Sequence, residues 1–130
     1  MKTLGYYNGR YDEVDRMMVP MNDRVCYFGD GVYDAGPCRN YHIFALDEHV
    51  DRFFNSASML DIHMPCSKEE LKALLNDLVK KLDTGDMFVY YQVTRGTAMR
   101  DHTFSDGPAN VWVMLKPAGT PNLSEKIRLI

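Results

Sequence analysis

The sequence predicts an α+β fold, an antiparallel sheet with two helices packed on one face. Three observations carry this reading. β-patterned runs fill the first third of the chain and return later, two stretches of helical periodicity lie between them, and the first run contains an Asn-Gly pair of the kind that closes a hairpin.

In "LGYYNGRY", Asn8-Gly9 separates two aromatic runs, and both central residues of a type I′ turn need the positive φ that these two tolerate. "CYFGDGVYDAGPCRNYHIFAL" then offers extended runs at Val32–Ala35 and Tyr41–Leu46, joined through Gly36, Pro37 and Arg39-Asn40. Pro37 has no N–H for a ladder, so an edge, a bulge or an early turn is expected there. In "LDEHVDRFFNSASMLDI", Asp47 is the expected N-cap and Glu48 favours the positive end of the helix dipole, while Val50, Phe53, Phe54, Ala57 and Leu60 repeat at helical spacing. The second helix is marked by a Ser67–Glu70 capping box, a Cys66–Leu71 hydrophobic staple and a stripe of Leu71, Leu74, Leu75, Leu78 and Leu82 that ends near Gly85. "MFVYYQVT" and "NVWVML" read as strands, and "EKIRLI" begins another alternating run. That last run would lack a partner, which leads to the expectation that the chain is the first part of something longer.

Composition bounds the function. A chain of 130 residues suits one compact domain, and 45% hydrophobic with 25% charged residues is ordinary for a globular protein. No apolar stretch approaches the roughly 20 residues of a membrane helix, and "MKTLGYYNGRYDE" lacks the apolar run of a signal peptide. Cys26, Cys38 and Cys66 are odd in number and widely separated, which points to reduced thiols in a cytoplasmic setting. With a net charge of −3 there is no basic stripe to neutralise a phosphate backbone, which argues against nucleic-acid binding.

Several motifs fail. "FGDGVYD" has Asp34 where the third glycine of a dinucleotide fingerprint would stand, and a strand rather than a helix is expected after it. His42, His49, His63 and His102 form no H-E-x-x-H pattern and do not join the cysteines at zinc spacing. No G-x-S-x-G elbow is present. On local grounds Gly29-Asp30-Gly31 is a plain turn, Tyr33 a packed aromatic, and Arg52 a surface partner of Glu48 one helical turn back. "VTRGTAMRDHTF" is less easily explained, because it gathers Arg95, Arg100 and His102 in an acidic chain. The alternate spacing of Arg100 and His102 would aim both to one side of an extended segment, and Asp101 between them could neutralise the patch.

"RVCYFGDGVYD", "FALDEHVDRFFNSASML" and "YYQVTRGTAMRDHTF" stand in the order and spacing of the N-terminal part of fold-type IV (class IV) pyridoxal-phosphate aminotransferases, which the chain resembles over nearly its whole length. The middle block is shared with branched-chain aminotransferases and aminodeoxychorismate lyase, whereas R-G-x-x-x-R-x-H is characteristic of the D-amino acid branch. The resemblance implies that residues 1–130 form the small N-terminal domain of a homodimeric, pyridoxal 5'-phosphate-dependent enzyme that transfers an amino group from a D-amino acid to a 2-oxo acid. It implies that Arg52 binds the cofactor phosphate. It further implies that Tyr33, Arg100 and His102 grip the substrate carboxylate, the last two reaching in from the neighbouring subunit, and that Tyr90 lines the substrate side. Asp34 stands where many relatives have glutamate, and Ala35-Gly36-Pro37 replaces a more β-branched strand.

The family's cofactor-binding lysine matches none of Lys2, Lys68, Lys72, Lys80, Lys81, Lys116 or Lys126 and is expected in a second domain beyond Ile130. This chain alone is therefore expected to be inactive. The alternatives are a branched-chain aminotransferase or a lyase of the same fold, or a stand-alone, non-catalytic interaction domain.

Overall fold

The computed structural model describes residues 1–119 and 121–130. Six antiparallel strands form the sheet: β1 (Leu4–Tyr7), β2 (Arg10–Asp12), β3 (Gly31–Arg39), β4 (His42–Ile43), β5 (Met87–Thr94) and β6 (Asn110–Pro117). Their spatial order is β2-β1-β6-β5-β3-β4. Among the described residues three α-helices accompany them: α1 (Arg24–Phe28), α2 (Leu46–Met59) and α3 (Lys68–Leu82).

Register sorts the side chains of the sheet by parity. Leu4, Cys38, Met87, Val89, Tyr91, Val93, Val111, Val113 and Leu115 are buried in one cluster with Val50, Phe53 and Ala57 of α2 and Leu71, Leu75 and Leu78 of α3. Alternate residues, among them Tyr33, Tyr90, Trp112 and Met114, point to the other face and stay partly or largely exposed. The α+β layering expected from periodicity is the one the chain adopts.

The Asn8-Gly9 hairpin forms with φ of 43° and 94°. Asn8 also accepts the Val111 N–H at 2.9 Å, which ties the turn to β6. β3, in contrast, is one continuous strand through Pro37 rather than two joined runs. The Pro37 carbonyl accepts the Phe44 N–H at 2.9 Å on the outer side of the strand. Since the N and O of a strand residue point the same way, the missing N–H also faces outward and the ladder to β5 loses no bond. The expected second run, Tyr41–Leu46, shrinks to His42–Ile43, because Asn40, Tyr41 and Ala45 all take positive φ. Tyr41 is held there by its N–H to Gly85 O at 2.9 Å and its hydroxyl to Asp83 Oδ1 at 2.7 Å.

Asp47 is not the N-cap of α2. Ala45 occupies that position without a side-chain bond, and Asp47, inside the first turn, accepts Lys72 Nζ at 2.9 Å and so joins α2 to α3. The capping box of α3 forms as expected, with Glu70 N donating to Ser67 Oγ at 3.1 Å and Ser67 N to Glu70 Oε2 at 2.8 Å. α1 is an addition where periodicity suggests only the approach to a strand. It is five residues long, capped by Asp23, which accepts the Val25 N–H at 2.9 Å, and closed by Gly29 at φ 62°. Residues 125–130 do not form the expected strand. An alternating pattern without a ladder partner leaves backbone groups better satisfied by water. Among the described residues no helix is long and apolar enough to cross a membrane.

Capping separates the two long helices. Ser67→Ala is expected to destabilise the chain by about 1 kcal/mol and Asp47→Ala by less than about 0.5 kcal/mol, as read by urea denaturation.

Candidate functional site

Two carboxylates, the buried Asp34 and the half-buried Asp30, organise the chemistry-bearing residues. Asp34 points from β3 to the helix side, where an ionised group must find partners. α2 supplies them from His49 and Arg52, three residues apart on one face. Arg52 donates Nε to Asp34 Oδ2 at 2.7 Å and Nη2 to Oδ1 at 2.9 Å, and His49 Nδ1 lies 2.7 Å from Oδ1. Burial pushes the Asp34 carboxyl up, but the bonds from Arg52, His49 and the Ala35 N–H outweigh it and hold the group below its ordinary value. Gly36 makes room for this arrangement, since a Cβ there would stand 3.0 Å from His49 Nε2. The expected Arg52–Glu48 pair does not form. Instead Asp34, 3% exposed, grips one edge of a guanidinium that is 64% exposed. Nη1 keeps no bond among the described residues, and a guanidinium fixed along one edge and open at the other suits a phosphate oxygen. The donor set present therefore fits a phosphorylated cofactor.

Asp30 binds two arginines. Arg24 Nε reaches Oδ2 at 2.8 Å, and Arg95 Nε reaches Oδ1 at 3.1 Å and Oδ2 at 2.9 Å. Arg95 also donates to Leu60 O at 2.6 Å and Asp61 O at 3.2 Å, and its guanidinium carbon lies 3.8 Å from the centre of the Phe104 ring. Burial again raises the Asp30 carboxyl, and the bonds from Arg24 and Arg95 more than reverse it. Of the cations in "VTRGTAMRDHTF", Arg95 is thus committed to structure. Gly96 follows at φ 114°, where a Cβ would lie 2.2 Å from Pro108 O, so only glycine fits.

Arg100 and His102 are exposed and form neither hydrogen bond nor ion pair among the described residues. Both meet the Phe28 ring, Arg100 Cζ at 5.0 Å and His102 at 5.7 Å between centroids. Asp101 does not pair with either. Its carboxylate accepts Thr103 N at 2.8 Å and Thr103 Oγ1 at 2.7 Å, which lowers its pKa, while its carbonyl accepts Arg24 Nη1 at 2.9 Å. A cavity of about 480 Å³ opens beside this cluster, bounded by Arg24, Phe28, Met59, His102 and Phe104.

Tyr33 and Tyr90 lie on the other face of the sheet. Their rings stack at 5.3 Å, and Tyr90 donates its hydroxyl to Gln92 Oε1 at 2.6 Å. Burial, with a smaller effect from the neighbouring Tyr33, raises the Tyr90 hydroxyl above its ordinary pKa. No hydrogen bond, ion pair or ring contact joins these tyrosines to Arg100 or His102 among the described residues. The structure thus brings Arg100 to His102 and Tyr33 to Tyr90, but not one pair to the other. Sequence reasoning missed Asp30, His49, Phe28 and Arg24 as partners. The readable signal was Asp34 itself, a lone carboxylate in phase with the buried Gly36 and Cys38, which needs a cation within reach.

Residues 31–130 match the amino-transferase class IV family. The chain is 41% identical over 107 residues to the D-alanine aminotransferase of Bacillus licheniformis, an alignment covering 82% of this chain and 37% of that protein. It is likewise 41% identical over 107 residues to the D-alanine aminotransferase of Listeria monocytogenes serotype 4b, covering 82% and 36%. The chain therefore spans little more than a third of the length of these relatives. Among solved structures it superposes on the T.th. branched-chain amino acid aminotransferase with pyridoxamine 5'-phosphate at a TM-score of 0.84 and 23% identity, covering 96% of this chain and 43% of that one. The branched-chain amino acid aminotransferase of Escherichia coli gives a TM-score of 0.82 at 18% identity, covering 91% and 42%. At such identities the structural likeness is one of fold.

Because Asp30 and Asp34 are more acidic folded than unfolded, their contribution to stability is complete above the unfolded carboxylate value of about 3.9 and is lost as pH falls through the lower folded values. Asp30→Asn leaves two buried guanidiniums without a counter-charge and is expected to destabilise the chain by roughly 2–3 kcal/mol at neutral pH. The gap to the unaltered chain should narrow at about pH 3, as read by urea denaturation at the two pH values.

Proposed function

The chain belongs to the amino-transferase class IV family, and on that premise we propose that it is the N-terminal domain of a pyridoxal-phosphate-dependent, cytoplasmic, homodimeric D-amino acid aminotransferase whose cofactor-binding lysine lies in further sequence. The observation that carries this reading is the state of the cations in "RGTAMRDH": Arg95 is consumed by Asp30, whereas Arg100 and His102 stand together with their donors uncommitted. Such a pair suits a planar carboxylate, which a guanidinium can bind through two parallel N–H bonds while the imidazole supplies a third donor.

In this reading Arg52, steadied by Asp34, donates Nη1 to the cofactor phosphate. Tyr33 offers its hydroxyl to the substrate carboxylate from the open face of the sheet, and Tyr90, stacked on it, walls the substrate side. Arg100 and His102 complete the carboxylate grip from the second subunit of a homodimer, which accords with their separation from Tyr33 within one chain. When bound, pyridoxal phosphate supplies the electron sink for moving the amino group from a D-amino acid to a 2-oxo acid. The residues of this chain act by positioning and by charge complementarity, and none of them is a nucleophile.

The test uses the full-length protein. D-alanine is expected to be transaminated far faster than L-leucine in a coupled assay; faster use of L-leucine would replace the reading with a branched-chain specificity. Arg100→Ala is expected to cost about 3 kcal/mol of transition-state stabilisation, on the order of a hundredfold or more in kcat/KM for D-alanine. An unchanged kcat/KM would remove Arg100 from the carboxylate site.

A further inference from the structure

Phe28 has no place in the hydrophobic core. It belongs neither to the buried cluster nor to the partly buried residues packed against it, and it is 38% exposed. Its neighbours are instead cationic or aromatic. Arg24 lies 5.0 Å from the ring centre, Arg100 also 5.0 Å, His102 5.7 Å and Tyr27 5.9 Å. The ring is fixed from behind. It ends α1, the following Gly29 turns the chain at φ 62°, and Arg24 is locked by Asp30 and the Asp101 carbonyl with its side chain only 4% exposed. The functional groups of Arg100 and His102, by contrast, have no other attachment among the described residues.

We infer that Phe28 is a positioning residue for carboxylate binding: its ring is a fixed platform that holds the Arg100 guanidinium and the His102 imidazole side by side before substrate arrives. A free arginine side chain samples many rotamers and loses that freedom on binding, whereas one already lying on an aromatic ring has lost much of it beforehand. Aromatic contact leaves all the N–H donors available, which an ion pair to a carboxylate of the protein would not. Asp101 lies between the two cations in sequence, yet its carboxylate is occupied by Thr103, so the platform rather than a counter-ion sets their place.

The inference rests on Arg100 gripping the substrate carboxylate, so the experiment separates the two. In the full-length holoenzyme, Phe28→Leu is expected to raise KM for D-alanine about tenfold, the equivalent of one pre-ordered arginine side chain. kcat and the affinity for pyridoxal phosphate should stay within about threefold, because Arg52 is held by Asp34 and not by Phe28. Phe28→Tyr, which keeps the ring, should restore KM. Adding Phe28→Leu to Arg100→Ala should have little further effect on KM, since the platform then has no guanidinium to hold. If Arg100→Ala raises KM and Phe28→Leu does not, the platform is wrong. A joint fall in kcat and cofactor affinity at unchanged KM makes Phe28 a structural residue only and also overturns the inference. Should Arg100→Ala itself leave KM unchanged, the carboxylate reading fails and the inference with it.

Discussion

The Asp30 carboxylate is the point on which the site-bearing end of the molecule depends. It stands just before β3 and binds Arg24 from α1 and Arg95 from the loop after β5. Through Arg95 it also reaches the carbonyls of Leu60 and Asp61 at the exit of α2. Three stretches far apart in sequence, at residues 24–30, 60–61 and 95, are thus tied together around one negative charge. Each arginine is nearly buried and would be costly there alone, so the carboxylate and the two guanidiniums are stable only as a set.

This arrangement divides the cations by task. Arg24 and Arg95 are bound along their edges by carboxylate and carbonyl oxygens, which fixes backbone and leaves little to offer a ligand. Arg52 is intermediate, gripped by Asp34 on one side and open on the other. Arg100 is held through a ring face and keeps its donors free. The same side-chain chemistry therefore serves as clamp, half-clamp or open donor according to what touches it, and the gradient runs from the interior of the fold to its surface.

The sheet adds a second division. One face is sealed by α2 and α3, with Phe53 set edge-on against Tyr91 at 4.9 Å. The other carries the Tyr33–Tyr90 stack with Tyr33 65% exposed. Asp34 and Tyr33 are adjacent in sequence yet face opposite sides, which is how β3 contributes to the cation site and to the open aromatic face at once.

The sequence by itself determined what local periodicity and turn chemistry control: the Asn8-Gly9 hairpin, the α3 capping box and its leucine stripe, β5 and β6, and hence the α+β class. The order of motif blocks was equally legible and carried the family, with Arg52, Tyr33, Tyr90, Arg100 and His102 as candidates. Tertiary structure decided the rest, for reasons that sequence spacing cannot express. Asp47 is not the cap because the helix starts earlier, at Leu46 after the left-handed Ala45, and from the first turn its carboxylate reaches Lys72 of α3. Arg52 chose Asp34 over Glu48 because a buried carboxylate binds a guanidinium more strongly than an exposed one does. The 125–130 run stayed out of the sheet because an alternating pattern forms a strand only where a ladder partner meets it. Which arginine is clamp and which is open donor depends on contacts across tens of residues, such as Arg24 to Asp101 and Arg95 to Asp30, and those exist only once the chain has folded.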